Sequence, residues 1–222
     1  MSSVPSTKDR PGDRLVSILE HHRIVPVVVI DSVAHGDGLA DALVAGGLPL
    51  AEVTLRTPAS LECLAAIARR GDVLTGVGSV RTVDQVDAAV EAGARFVVSP
   101  GLSPAVVERC GQLGVPTLPG VATPSEIMRA LDLGVSVVKL FPAGQLGGPG
   151  AVRALSAPFP AVRFVPTGGI RRDTVADYLA VPSVLAVGGS WMVPPDLLGT
   201  GDVGALRDRI ADCVELAGEV TR

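Results

Sequence analysis

The chain has 222 residues and a net charge of −4, and 47% of it is hydrophobic but only 3% aromatic. The length fits one large domain or two small ones, and the acidic balance argues against the basic face that a nucleic-acid binder needs. A core with so few aromatics must be built from Val, Leu, Ile and Ala, which suits parallel strands buried on both faces.

Residues 1–12 contain Ser2, Ser3, Pro5, Ser6 and Pro11 and lack the apolar core of a signal peptide. They read as a disordered tail on a cytoplasmic protein, leaving 13–222 as the domain. A helix over about Arg14 to His22 follows. Eight short apolar runs then recur: Val25 to Ile30, Leu50 to Leu55, Val73 to Val77, Phe96 to Ser99, Pro116 to Leu118, Val135 to Phe141, Val162 to Val165 and Val184 to Val187. Each is followed by a helical pattern, and that alternation implies βα units on a parallel sheet. The expected fold is a single (β/α)8 TIM barrel with an extra N-terminal helix. An open doubly wound sheet is the alternative, but it lacks a GxGxxG after the first strand.

Helix signals fit the same frame. Leu39, Ala42, Leu43 and Gly46 share a helical face, and Gly46-Gly47 ends that helix. Thr123-Pro124-Ser125-Glu126 reads as an N-cap with Pro at the first position and Glu at the third. Asp84, Ser103 and Asp173 sit near other helix starts, and a last helix runs from about Gly204 to Ala217. Gly76, Gly78, Gly101, Gly120, Gly168, Gly169, Gly188 and Gly189 fall just after the runs, where the turns of a barrel's active face lie. No apolar run approaches the roughly 20 residues of a membrane span, so no membrane partner is expected.

The second run, Leu50-Ala51-Glu52-Val53-Thr54-Leu55-Arg56-Thr57, places Glu52, Thr54 and Arg56 on one strand face by alternation. That face would point into the barrel, where charges are rare unless paired or functional. Glu52 and Arg56 lie roughly 13 Å apart along a strand, too far for one direct pair. Glu52 could move protons and Arg56 could hold a carboxylate bidentately; separate structural ion pairs would also explain them.

Lys8 and Lys139 are the only lysines, and Lys139 lies within the sixth run beside Val137 and Phe141 on one face. A buried ammonium is costly to desolvate and can shed its proton, leaving an amine able to attack a carbonyl. Arginine stays protonated and could not. A strand-end lysine reaching back to solvent is the plainer explanation of that position. Pro166-Thr167-Gly168-Gly169-Ile170 and Val187-Gly188-Gly189-Ser190-Trp191 follow the seventh and eighth runs, where barrels often bind phosphate with glycine amides and a helix N-terminus. Tight turns alone would also use such glycines. Cys63, Cys110 and Cys213 lack metal-ligand spacing, and His21, His22 and His35 pair with no carboxylate or cysteine at such spacing. Neither a metal nor a cofactor is expected.

Together these segments resemble the 2-keto-3-deoxy-6-phosphogluconate (KDPG) aldolase family, which includes the 4-hydroxy-2-oxoglutarate (KHG) aldolases. The similarity spans about Ile24 to Leu197. It rests on Val25-Pro26-Val27, Glu52 to Thr57, Gly76-Val77-Gly78-Ser79-Val80, Ser99-Pro100-Gly101, Gly120-Val121-Ala122-Thr123, Lys139-Leu140-Phe141-Pro142-Ala143, Pro166 to Ile170 and Gly188-Gly189-Ser190-Trp191. The resemblance implies a metal-independent, class I lyase acting on a phosphorylated keto acid. In it Lys139 forms the imine, Glu52 is the acid/base, and Arg56 binds the pyruvate carboxylate. Ser79, where the family usually has Thr, and Pro100 would face the pyruvyl part. Thr167, Gly168, Gly169, Gly188, Gly189 and Ser190 would face the phosphate and sugar end. Gly144 stands where many relatives have Glu and receives no role. Family members are usually homotrimers. The sequence leaves KDPG and KHG both open as the main substrate, and a phosphate-binding barrel without imine chemistry is the alternative to an aldolase.

Overall fold

The structure is a computed structural model that describes residues 11–220. Helices and strands alternate: α1 (Pro11–His22), β1 (Ile24–Val28), a 3-10 turn (Val33–His35), α2 (Gly36–Ala45), β2 (Leu50–Thr54), α3 (Ser60–Arg70), β3 (Leu74–Gly78), α4 (Val83–Glu91), β4 (Val97–Val98) and α5 (Pro104–Leu113). The second half continues with β5 (Thr117–Leu118), β6 (Gly120–Val121), α6 (Pro124–Asp132), β7 (Val137–Leu140), α7 (Gly148–Ser156), β8 (Arg163–Pro166), α8 (Val175–Leu179), β9 (Val187–Gly189), α9 (Pro195–Thr200) and α10 (Val203–Glu219). The expected tail largely falls outside the described residues, as does Lys8, although Pro11 and Gly12 already belong to α1.

Every strand pairing is parallel, as the βα alternation requires. The strands form two hydrogen-bonded sheets, β5-β4-β3-β2-β1-β9 and β6-β7-β8, rather than one uninterrupted ring. The fifth expected run forms β5, and a further strand that no run covered, β6, follows Pro119, which has no N–H to continue a ladder. Its carbonyl still accepts from the Lys139 amide at 2.9 Å. The strand bearing Lys139 is therefore β7, not a sixth strand. The last strand starts later than its apolar run, and Val184 contributes only an isolated parallel bridge to Phe164. A second bridge joins Thr167 to Gly188.

Local chemistry accounts for most element ends. Thr123 and Glu126 form the expected capping box with Pro124 following the cap, Thr82 and Gln85 form another, and Ser103 caps α5. Leu39, Ala42 and Leu43 are fully buried, as their helical face predicts. Gly46 lets α10 approach, since a Cβ there would stand 2.7 Å from Ile210 Cγ2. The core is a continuous aliphatic cluster in which Phe96 and Phe164 are the largest fully buried side chains. Arg23, in left-handed backbone (φ 62), sends its guanidinium to the carbonyls of Leu179, Val184 and Leu185 at 2.9, 3.0 and 3.2 Å. That clamp anchors the segment entering β9 beside the start of β1.

Candidate active site

β2 is buried along its whole length, which is how a strand covered on both faces packs. Glu52 is 3% exposed and Lys139 on β7 is 4% exposed, yet each has the other as partner: Nζ lies 3.2 Å from Oε1. The two residues come from different sheets, so the pair spans the interior between them. A buried charge left unpaired would be costly. The Phe141 ring centroid is 5.3 Å from Nζ, close enough for its π-face to favour a cation there.

Room for the carboxylate comes from β3. A Cβ on Gly78 would stand 2.2 Å from Glu52 Oε1, and one on Gly76 would stand 2.3 Å from the Phe96 ring. Both glycines lie inside β3, not in the turn after it as the sequence suggested, because a bare backbone there is what lets neighbouring side chains cross the strand. Gly120 likewise belongs to β6, paired with Lys139; a Cβ on it would meet the Pro100 carbonyl at 2.2 Å. The backbone of Pro100 thus packs beside β6, the strand paired with the one that carries the amine, while the residue as a whole is exposed.

Of the two other residues expected on that face of β2, only Arg56 needs correction. Thr54 is buried with its hydroxyl donating to Val28 O at 2.8 Å, so it serves the sheet. Arg56 does not continue the strand face: β2 ends at Thr54, and Arg56 occupies the following turn, exposed. Its Nε donates to Ser79 Oγ at 3.2 Å. Ser79 directly follows Gly78 and holds left-handed backbone (φ 62), a conformation more costly for a β-branched residue than for Ser.

The two glycine pairs differ. Gly168 and Gly169 form a turn after β8 with φ 93 and 74. Gly188 and Gly189 lie within β9 instead of beyond it, because glycine interrupts an apolar pattern without interrupting a ladder. A Cβ on Gly188 would stand 2.4 Å from Thr167 Oγ1, and one on Gly189 would overlap the Trp191 ring. Their smallness admits those two side chains. Thr167 is 6% exposed, whereas Ser190 is exposed just past β9. Neither pair opens a helix directly, since α8 and α9 begin several residues later.

One connection had no signal in the sequence. The loop after β7 is zipped to the loop after β8: Ala143 N donates to Thr167 O and Gly144 N to Gly168 O, both at 2.9 Å. Gly144, without an assigned role from sequence, packs on Gly169, where a Cβ would have 3.2 Å to Gly169 Cα. The catalytic-type strand and the glycine turn therefore form one unit. The structure brings Glu52, Gly78 and Lys139 together, with Arg56–Ser79 and Thr167–Gly188 as flanking contacts.

A cavity of about 990 Å³ at the strand starts is lined by Arg14, His22, Asp72 and Arg95 among others, and includes none of the candidate residues. Cys63, Cys110 and Cys213 are buried in α3, α5 and α10. Burial pushes the Cys110 thiol up to about 11. Among the described residues no group of three or more metal-ligating side chains occurs, and no helix is long and apolar enough to cross a membrane. Chemically, the centre offers an amine beside a carboxylate in a dry setting, a combination suited to imine formation and proton transfer.

Comparison with known proteins gives the same direction. The family model for KDPG and KHG aldolase matches residues 15–209. A 2-dehydro-3-deoxy-phosphogluconate aldolase of Treponema pallidum (strain Nichols) is 48% identical over 201 residues, covering 90% of this chain and 96% of that protein. The KHG/KDPG aldolase of Escherichia coli (strain K12) is 42% identical over 200 residues, covering 90% and 94%. A crystal structure of KDPG aldolase from Legionella pneumophila, with pyruvate captured at low pH as a covalent carbinolamine intermediate, superposes with TM-score 0.86 at 37% identity, covering 92% of this chain and 98% of that one.

Proposed function

The chain belongs to the KDPG and KHG aldolase family, and from that premise we propose that it is a class I aldolase cleaving KDPG to pyruvate and glyceraldehyde 3-phosphate through a Schiff base on Lys139. The observation that carries the assignment is the buried amine of Lys139 at 3.2 Å from the Glu52 carboxylate.

Glu52 Oε1 is within reach of the proton that Nζ must lose before it attacks C2 of the keto acid. The carbinolamine expels water to give a protonated imine. Glu52, through a water, takes the proton of the C4 hydroxyl; the C3–C4 bond breaks, its electron pair moves to the iminium, and the aldehyde leaves. The enamine takes a proton at C3 with help from Glu52, and water hydrolyses the imine, freeing pyruvate and the amine. Glu52 thus serves as general acid and base in turn. Arg56 binds the pyruvate carboxylate as a bidentate donor, aimed by Ser79. Pro100 and Ser79 border the pyruvyl part, and Thr167, Gly168, Gly169, Gly188, Gly189 and Ser190 the phosphate end.

We read the two sheets as halves of one closed (β/α)8 barrel. Supporting this, β5 and β6 are consecutive about Pro119, and Phe164 N donates to Ser183 O while Leu185 N donates to Phe164 O, both at 2.8 Å, between β8 and the approach to β9. The unpaired cysteines suit a reducing cytoplasm, and a homotrimer is the assembly the family resemblance implies.

Borohydride reduction in the presence of pyruvate should fix one pyruvyl group on Lys139, read by peptide mass. No adduct, or one elsewhere, would reject the assignment. Lys139→Arg should abolish both trapping and cleavage although the charge is kept. Glu52→Gln should still trap pyruvate but cleave KDPG about 10²–10⁴-fold more slowly, the usual scale for a lost acid/base. Comparing kcat/KM for KDPG and KHG decides the main substrate.

A further inference from the structure

Gln145 follows directly on the Phe141 to Gly144 segment that joins the Lys139 strand to the glycine turn. Its side-chain amide lies against Gly169: a Cβ on that glycine would stand 3.4 Å from Gln145 Oε1 and 3.5 Å from Nε2. The residue is exposed, and among the described residues its amide makes no hydrogen bond. The neighbouring backbone is also open, since the N–H groups of Gly169 and Ile170 donate to no acceptor among the described residues. Consecutive left-handed glycines followed by free N–H groups form a concavity of the kind that receives anions. Gly144, just before Gln145, packs closely on the same turn, where a Cβ would stand 3.2 Å from Gly168 O.

We infer that Gln145 is a specificity-determining residue, its Nε2 donating to the substrate's phosphate oxygens alongside the Gly169 and Ile170 amides. The inference rests on the aldolase reading above. A neutral amide can donate two hydrogen bonds there, whereas a carboxylate of the same shape can donate none and repels a phosphate dianion.

The test is steady-state kinetics on KDPG and on unphosphorylated KHG. Gln145→Glu should raise KM for KDPG by about tenfold or more, the scale of losing a charge-assisted hydrogen bond and gaining a like charge. KM for KHG and kcat for both substrates should stay within about twofold, since the change leaves the amine and its carboxylate untouched. Gln145→Ala should raise KM for KDPG by a smaller factor and likewise spare KHG. Equal effects on both substrates, or an unchanged KM for KDPG in Gln145→Glu, would overturn the inference. A wild-type preference for KDPG that Gln145→Glu leaves undiminished overturns it alone. A wild-type enzyme without any such preference overturns the phosphate reading and this inference together, while pyruvate trapping on Lys139 reports separately on the imine.

Discussion

Glu52 is held in place as much by what β3 omits as by what Lys139 offers. Gly78 has ordinary strand backbone, so alanine there is conformationally acceptable and would even restrict the unfolded chain. Its Cβ, however, would fall 2.2 Å from Oε1 and 2.7 Å from Cγ of Glu52. Strand backbone cannot retreat, so the carboxylate must leave Nζ. Gly78→Ala should therefore cost about 1–3 kcal/mol of stability from overpacking, while kcat falls about 10²–10⁴-fold as for a displaced acid/base. Urea unfolding and KDPG turnover measure the two effects; normal turnover would mean that Glu52 does not need the position the structure gives it. At this scale the amine and the carboxylate were legible in the sequence as charges on buried strands. Their distance was not, because which strands face each other across an interior is a tertiary fact. Arg56 was misplaced for a related reason: alternation was carried past Thr54, where the chain had already turned.

Among the elements, helix starts were the most readable, because a cap is a local hydrogen-bond pattern. Thr123 accepts from the Glu126 amide, and the Glu126 carboxylate accepts from Ala122 N at 2.8 Å and Thr123 N at 2.9 Å. Thr123→Ala should lower stability by about 1 kcal/mol with kcat unchanged, as followed by denaturant midpoint and assay; an altered kcat would show that α6 does more than support β6 and β7. Strand ends were less readable. Apolar runs located the strands, but Gly78, Gly188 and Gly189 carry no side chain to extend the pattern, so strands that continue through them looked finished. Gly120-Val121, past Pro119, lay in no apolar run, so β6 went unexpected. The short α9 had no periodic run of its own to announce it.

At the scale of the whole molecule, a weak seam lies between β8 and the chain's last strand, β9, which is laddered only to β1. β9 is short and reaches β8 only through isolated bridges, so the approach to it depends on other fastenings. Arg23 supplies them: three carbonyls from Leu179 to Leu185 converge on one guanidinium, and the Arg23 carbonyl accepts from Val187 N at 2.8 Å. Nearby Arg163 and the partial burial of Arg23 both work against its charge, and Glu20 partly offsets them. The backbone adds a second cost, since left-handed conformation penalises any side chain by about 1–2 kcal/mol relative to glycine. Removing the guanidinium while keeping that cost, Arg23→Ala, should destabilise the fold by about 2–4 kcal/mol, the scale of charged hydrogen bonds lost from partly buried carbonyls. Arg23→Gly loses the same bonds but relieves the backbone, so it should be the more stable of the two variants by about 1 kcal/mol. Hydrogen exchange at Leu185 and Val187 should quicken in both, whereas the amides of β2 and β3 should not change. If Ala and Gly behave alike, the left-handed turn is not strained. If exchange rises uniformly instead, the seam opens only when the whole fold does.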